Sequence, residues 1–176
     1  ITGIPAGICA GSSVSPAASV TSVDGVASYA WDFGDGFTSN LANPGAHNYA
    51  GFGNYTLRLS ITTNGGCTAM ASQVVHVGTP VPVDFSASKA QGCASDTIQF
   101  TNLSGSGYKY HWDFGDNSYS DSANPTHRYY DTGYVDVTLQ VTNNGCPNAV
   151  TKPQLIRILP PVARFTPVFD CSSKNL

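Results

Sequence analysis

Charge is scarce in this chain. Asp, Glu, Lys and Arg make up 11% of its 176 residues, well under the quarter usual in soluble domains. The formal net charge is −3, and neither sign is clustered. Without a basic patch the chain lacks the electrostatic footprint of nucleic-acid binding. It has no polybasic or amphipathic segment to seat it on a membrane surface. No apolar run approaches the ~20 residues a membrane-spanning helix needs. Helical periodicity is absent throughout. The five cysteines form no Cys-x-x-Cys pair, which removes zinc-ribbon and thioredoxin readings. Gly-x-Ser-x-Gly, His-Glu-x-x-His and P-loop patterns are also missing. No signal-peptide pattern is visible and the chain opens mid-pattern at Ile1, so it reads as a piece of a longer exported protein.

What is present points to strands and turns. Glycine (18) and proline (11) are frequent, and Ser, Thr and Asn carry most of the polarity. Aromatics at 11% supply enough apolar surface to close a core, against disorder. In Tyr55–Thr62, residues Tyr55, Leu57, Leu59 and Ile61 alternate with Thr56, Arg58, Ser60 and Thr62. In Val135–Thr142, Val135, Val137, Leu139 and Val141 alternate with Asp136, Thr138, Gln140 and Thr142. A period of two with one wet face predicts antiparallel strands packed on a second sheet. Turn signals follow at Asn64-Gly65-Gly66 and Asn143-Asn144-Gly145, and last strands are predicted over Ser72–Val77 and Gln154–Leu159.

The chain repeats itself. Tyr29-Ala30-Trp31-Asp32-Phe33-Gly34-Asp35-Gly36 returns as Tyr110-His111-Trp112-Asp113-Phe114-Gly115-Asp116-Asn117, an offset of 81 residues. The offset holds for Asn43-Pro44 against Asn124-Pro125 and drifts to 79 at Cys67 against Cys146. A third copy begins with Val162-Ala163-Arg164-Phe165 and Cys171, echoing Val83-Asp84-Phe85 and Cys93. The predicted organisation is a first repeat over 1–78, a proline-rich linker over 79–82, a second repeat over 83–159, and a linker with the start of a third repeat over 160–176. Proline holds φ near −65°, so the linkers are short and stiff. About seven short strands in ~80 residues predicts an all-β fold of two tandem immunoglobulin-like sandwiches.

Within each motif, Trp31 and Phe33, like Trp112 and Phe114, point to one face and bury ~150–250 Å² each. Asp32 and Asp113 point to the other. Gly34-Asp35-Gly36 and Gly115-Asp116-Asn117 then form tight turns whose carboxylates accept backbone N–H groups. Asn117 suits a left-handed turn position. The pairs Asp32/Asp35 and Asp113/Asp116 resemble acid/base partners in type, but a repeating turn builds no cleft around them, so the chain is predicted to be no enzyme. His47 and His127 are equivalent and precede Tyr49 and Tyr129, which favours structural hydrogen bonds over metal ligation.

The motif Tyr-x-Trp-Asp-Phe-Gly-Asp, followed by His47-Asn48-Tyr49 or His127-Arg128-Tyr129 and by the strands from Gly53 and Gly133, resembles the PKD (polycystic kidney disease) repeat. The cysteine-bearing tandem form is similar to arrays in surface adhesins and exported proteins of Bacteroidetes-type bacteria. The resemblance implies an extracellular, non-catalytic spacer or ligand-binding module at a cell surface. It also implies calcium as a candidate metal, with Asp24 and Asp32 as candidate ligands in the first repeat. The second repeat has no acid in the matching stretch, Leu103-Ser104-Gly105-Ser106-Gly107. No other cofactor is implied.

The cysteines allow three readings: pairs within repeats (Cys9–Cys67 and Cys93–Cys146, with Cys171 left for a third repeat), a staple between repeats (Cys9–Cys146), or free thiols. In an immunoglobulin-like sandwich Cys93 and Cys146 sit at opposite ends, roughly 25 Å apart at ~3.3 Å per residue, whereas disulfide Cα atoms lie within about 7 Å. That geometry favours the staple. Cys67 would then pair backward, and Cys93 and Cys171 forward, with neighbouring repeats as partners. Regular cysteines also suit an oxidising, extracellular setting. Phe37, Phe52, Tyr119, Tyr130 and Tyr134 fall in or beside loops and are candidates for contacting a surface glycan or protein ligand.

Overall fold

A computed structural model describes residues 1–160. Among them there is no helix, hence none long and apolar enough to cross a membrane. The first repeat contains β1 (Gly7–Cys9), β2 (Ser13–Val14), β3 (Val26–Asp32), β4 (Thr38–Ser39), β5 (His47–Asn48), β6 (Gly53–Thr63) and β7 (Thr68–Gly78). The second contains β8 (Phe85–Ala87), β9 (Gln91–Cys93), β10 (Thr97–Asn102), β11 (Lys109–Asp113), β12 (Tyr119–Ser120), β13 (Thr126–Arg128), β14 (Gly133–Asn143) and β15 (Cys146–Leu159). Each repeat is a sandwich of two sheets. The larger sheets run β1-β7-β6-β3-β4 and β12-β11-β14-β15-β9. Within them β1 pairs in parallel with β7, and β9 with β15.

The opposing sheets differ, and a proline explains it. The second repeat has three strands, β13-β10-β8, where the first has only β2-β5 and an isolated bridge, Thr2 to Ala17. Phe100 in β10 donates its N–H to the Pro125 carbonyl at 2.9 Å. Pro16 stands at the matching place in the first repeat and has no N–H to give, so the ladder breaks there.

Alternation in the sequence maps onto burial. In β6, Leu57, Leu59 and Ile61 are buried, and in β14, Val137, Leu139 and Val141. Two separate cores result. One gathers Trp31, Phe33, Tyr49, Leu57 and Val75; the other gathers Trp112, Phe114, Phe85, Phe100 and Tyr129. Each closes around its own tryptophan, and both indoles are essentially inaccessible.

Two expectations change. The last strands begin earlier than predicted, at Thr68 and Cys146. Their first residues pair with β6 and β14 opposite core positions but are themselves mostly exposed, Met70 among them, so no alternation marks them. Pro153 does not start a new strand either. The chain bulges there, with a register shift opposite Val135 to Val137, and Gln154 N–H finds Asp136 Oδ1 at 2.7 Å. The linker is also not a bare spacer. Val81 is buried in the second core, and Asn148 Nδ2 donates to its carbonyl at 2.8 Å. The proposed third repeat beyond Pro160, with Cys171, lies outside the described residues.

Candidate functional site

Two places stand out: the motif turns, with their polar side chains and glycines, and the joint between repeats, with its glycines and cysteines.

The turns are built the same way in both copies. Trp31 Nε1 donates to the Leu41 carbonyl and Trp112 Nε1 to the Ser122 carbonyl, both at 2.9 Å, which lets a buried indole keep its hydrogen bond. Asp32 Oδ1 accepts Gly34 N–H at 2.8 Å, and Asp113 Oδ1 accepts Gly115 N–H at 2.9 Å. Asp35 and Asp116 each accept an N–H from two residues on, Phe37 and Ser118, at 3.1 Å. Gly34 and Gly115 have φ of 80°, and Asn117 occupies the left-handed region at 65°. Glycine is needed at the first position for a second reason. A Cβ on Gly34 would lie 2.8 Å from Thr56 backbone atoms, and one on Gly115 would lie 2.3 Å from the Asp136 carbonyl oxygen.

The second carboxylate of each motif binds the histidine. His47 Nε2 lies 2.8 Å from Asp35 Oδ2, and His127 Nε2 lies 2.7 Å from Asp116 Oδ2. Each imidazole packs on the motif phenylalanine, His47 tilted against Phe33 with centroids 4.0 Å apart and His127 stacked on Phe114 at 4.3 Å. Tyr49 and Tyr129 then donate their hydroxyls to the Phe33 and Phe114 carbonyls at 3.0 Å. Trp, Asp, Phe, Gly, Asp, His and Tyr thus make one locked corner per repeat. The Asp–His pairing was not visible in the sequence, although both residues were singled out; their recurrence in both copies was the available signal.

Burial raises the Tyr49 hydroxyl pKa to about 12, with the Asp35 charge adding to it, and burial followed by the Asp116 charge raises Tyr129 as well. Burial works to raise the Asp116 carboxyl too. Hydrogen bonds from Ser118 and His127 outweigh it and hold the group below the ordinary aspartate range. A depressed folded value stabilises the fold above the unfolded-state pKa, and the contribution is lost as pH falls through the folded value. Asp116→Asn is therefore expected to flatten the acid limb of a melting-temperature curve as pH falls below the ordinary aspartate value, about 4; an unchanged limb would mean the pair carries no linkage.

The acid pairs are occupied locally and do not converge on a cleft. Asp32 faces Arg58 at 3.8 Å, and Asp113 sits opposite Tyr119 across β11–β12. The calcium candidates separate. Asp24 lies beside the β6–β7 turn, its carbonyl accepting Asn64 Nδ2 at 2.7 Å, while Asp32 ends β3. Eight residues of extended chain place them on the order of 25 Å apart, so one ion cannot take both. Among the described residues no three His, Cys, Asp or Glu side chains come together as ligands. Phe37, Phe52, Tyr119, Tyr130 and Tyr134 are all exposed; Phe37 lies against His47, Tyr119 stacks on His111 and Tyr134 lies beneath Arg157.

The joint is the most distinctive feature. Cys9, at the end of β1, is bonded to Cys146, at the start of β15, with Cα atoms 4.5 Å apart and a sequence separation of 137. Pairs within a repeat are absent for a clear reason. Cys9 stands beside Gly78 at the far end of β7, and Cys67 immediately precedes β7. The 11 residues of β7 hold these cysteines roughly 35 Å apart. The same holds for Cys93, beside Leu159 at the end of β15, and Cys146 at its start. Among the described residues Cys67 and Cys93 are free and exposed.

Around the disulfide the two repeats touch through backbone. A Cβ on Gly78 would lie 1.7 Å from the Asn143 carbonyl oxygen, one on Gly7 would lie 2.6 Å from the Asn144 oxygen, and one on Gly145 would lie 2.3 Å from the Gly7 carbonyl carbon. Asn143 Nδ2 adds a hydrogen bond to the Thr79 carbonyl at 3.2 Å. Gly7 and Gly78 were not picked out from the sequence. The signal was there in the repeat alignment, where Gly78 faces Leu159 in the second copy.

Among solved structures the chain shares its fold with the fibronectin(III)-like modules of Clostridium thermocellum CbhA, at TM-score 0.57 and 14% identity over 89% of this chain and 90% of that one. It is also similar to murine CEACAM1b, at TM-score 0.51 and 13% identity over 88% and 96%. A stretch of 52 residues is 44% identical to a microbial collagenase of Vibrio alginolyticus, which is 30% of this chain and 6% of the collagenase, so the chain spans only a small part of that curated relative's length. The family model described as PKD domain matches residues 2–79 and again 79–158. With both copies matched from end to end, this chain belongs to the PKD domain family, as two members in tandem.

Proposed function

We propose that the pair is a non-catalytic structural module, a stiffened length of stalk in a large extracellular surface or secreted protein. The joint carries this reading. A covalent staple beside backbone-to-backbone packing adds a second connection to the short linker and fixes the angle between the two sandwiches. A binding or catalytic role for either sandwich would give no reason for the staple. The disulfide also supports an oxidising, extracellular location, and low charge with abundant hydroxyls suits an exposed fibre.

Cys9→Ser is expected to leave both sandwiches folded and to broaden the range of inter-repeat angles. Small-angle scattering checks it: the maximum dimension and radius of gyration of the variant should spread relative to the unaltered chain. Identical profiles would show that the staple does not limit bending. The collagenase relative favours a second reading, a spacer within a secreted hydrolase. An adhesin or carbohydrate-binding role rests on exposed aromatics such as Tyr119, and loss of glycan-array binding on Tyr119→Ala would support it.

A further inference from the structure

We propose that Cys67 and Cys93 are the two open halves of a second joint of the same kind, through which one copy of this repeat pair is taken up head to tail by another. The inference rests on the stalk reading and names its partner.

The observed joint supplies the geometry. Cys93 ends β9 beside Leu159 just as Cys9 ends β1 beside Gly78. Cys67 immediately precedes β7 just as Cys146 opens β15. One copy of each position is bonded and the other copy is free and exposed. The bonded contact joins unlike surfaces, the β1–β7 end of one sandwich to the β14–β15 turn of the next. Within residues 1–160 a contact of that type leaves one complementary surface at each end without its counterpart, and such a contact extends into a line rather than closing. A second copy of the chain presents both surfaces.

The second joint cannot copy the first in detail. Where Gly7 and Gly78 let the incoming turn touch backbone, the second repeat has Gln91 and Leu159, whose Cβ atoms occupy that space. The incoming turn must stand farther out. The first joint holds its Cα atoms at 4.5 Å, the short end of a range that reaches about 6.8 Å, so a disulfide still spans a gap wider by roughly 2 Å. The donating turn is suited to the crowding, because Gly65-Gly66 carries no side chain there and the β6–β7 turn is one residue longer than the β14–β15 turn. The second joint is therefore covalent but less tightly packed, and alternates with the packed one along the line.

The bond forms by exchange with a small disulfide such as oxidised glutathione. The Cys93 thiolate attacks one glutathione sulfur and releases one glutathione thiolate. The Cys67 thiolate of the second copy then attacks the Cys93 sulfur of that mixed disulfide and releases the other. Two protons leave the protein thiols and two electrons end on glutathione.

The test incubates the Cys171→Ser chain in a glutathione redox buffer, followed by non-reducing electrophoresis and peptide mapping. A ladder of linked copies is expected, with Cys67–Cys93 the dominant new peptide. Cys67→Ser or Cys93→Ser alone should abolish the ladder, and mixing the two variants should restore a single dimer band. Leu159→Gly with Gln91→Gly should raise the yield several-fold by clearing the approach. Symmetric Cys67–Cys67 and Cys93–Cys93 products in equal amounts, or glutathione-capped monomers alone, would overturn the proposal. Scattering of Cys9→Ser reads only the internal staple, so the stalk reading and this one can fail separately.

Discussion

Replacing Trp112 with alanine is expected to unfold the second repeat while the first stays folded. The indole is fully buried and packs edge-on against Phe85 at 5.1 Å and against Phe100 at 5.6 Å. Removing a tryptophan from a core costs about 3–5 kcal/mol. The Nε1 hydrogen bond to the Ser122 carbonyl is lost as well, at about 1 kcal/mol net. Small domains are stable by only about 5–15 kcal/mol, so most of the second repeat's margin disappears. Because the cores do not share residues, the first repeat should keep its own transition. Calorimetry of the variant should show one transition near its original temperature and a second moved down strongly or lost. A single transition displaced as a whole would mean that the joint couples the repeats into one cooperative unit.

Gly78→Leu, which installs in the first repeat the residue found at 159 in the second, is expected to force the internal joint apart. Its Cβ would fall 1.7 Å from the Asn143 carbonyl oxygen, and neither partner is a flexible side-chain end that can move aside. Overpacking of this kind costs about 1–3 kcal/mol. The repeats respond by separating, since Cys9 and Cys146 can move apart by roughly 2 Å and remain bonded. The variant should keep its disulfide by mass, reoxidise more slowly after reduction, and show altered inter-repeat orientation in residual dipolar couplings. An unchanged orientation would remove the glycine contact from the account of joint stiffness. The same variant gives the first joint one of the two side chains, the leucine, that crowd the joint inferred at Cys93.

The motif residues were legible before any coordinates because each signal is local. Trp31 and Phe33 point to one side by the two-residue period of a strand, and Asp32 and Asp35 reach N–H groups two residues on. Where Pro16 breaks the facing sheet, the cause was equally local but showed only once the two copies were set in register. The Asp35–His47 pair was not legible as a pair, since it depends on β5 falling beside a turn twelve residues earlier.

The all-β class, the tandem repeat and the two aromatic cores followed from the sequence alone, because alternation, turn chemistry and self-similarity are written in neighbouring residues. The joint was decided by tertiary structure. The length of β7 alone keeps Cys9 from Cys67, and that much pointed to Cys146 beforehand; how closely the two surfaces abut around the bond is set by strand direction and by backbone clearance at Gly7 and Gly78. Such clearance is a property of surfaces brought together across 137 residues, and no period in the chain encodes it.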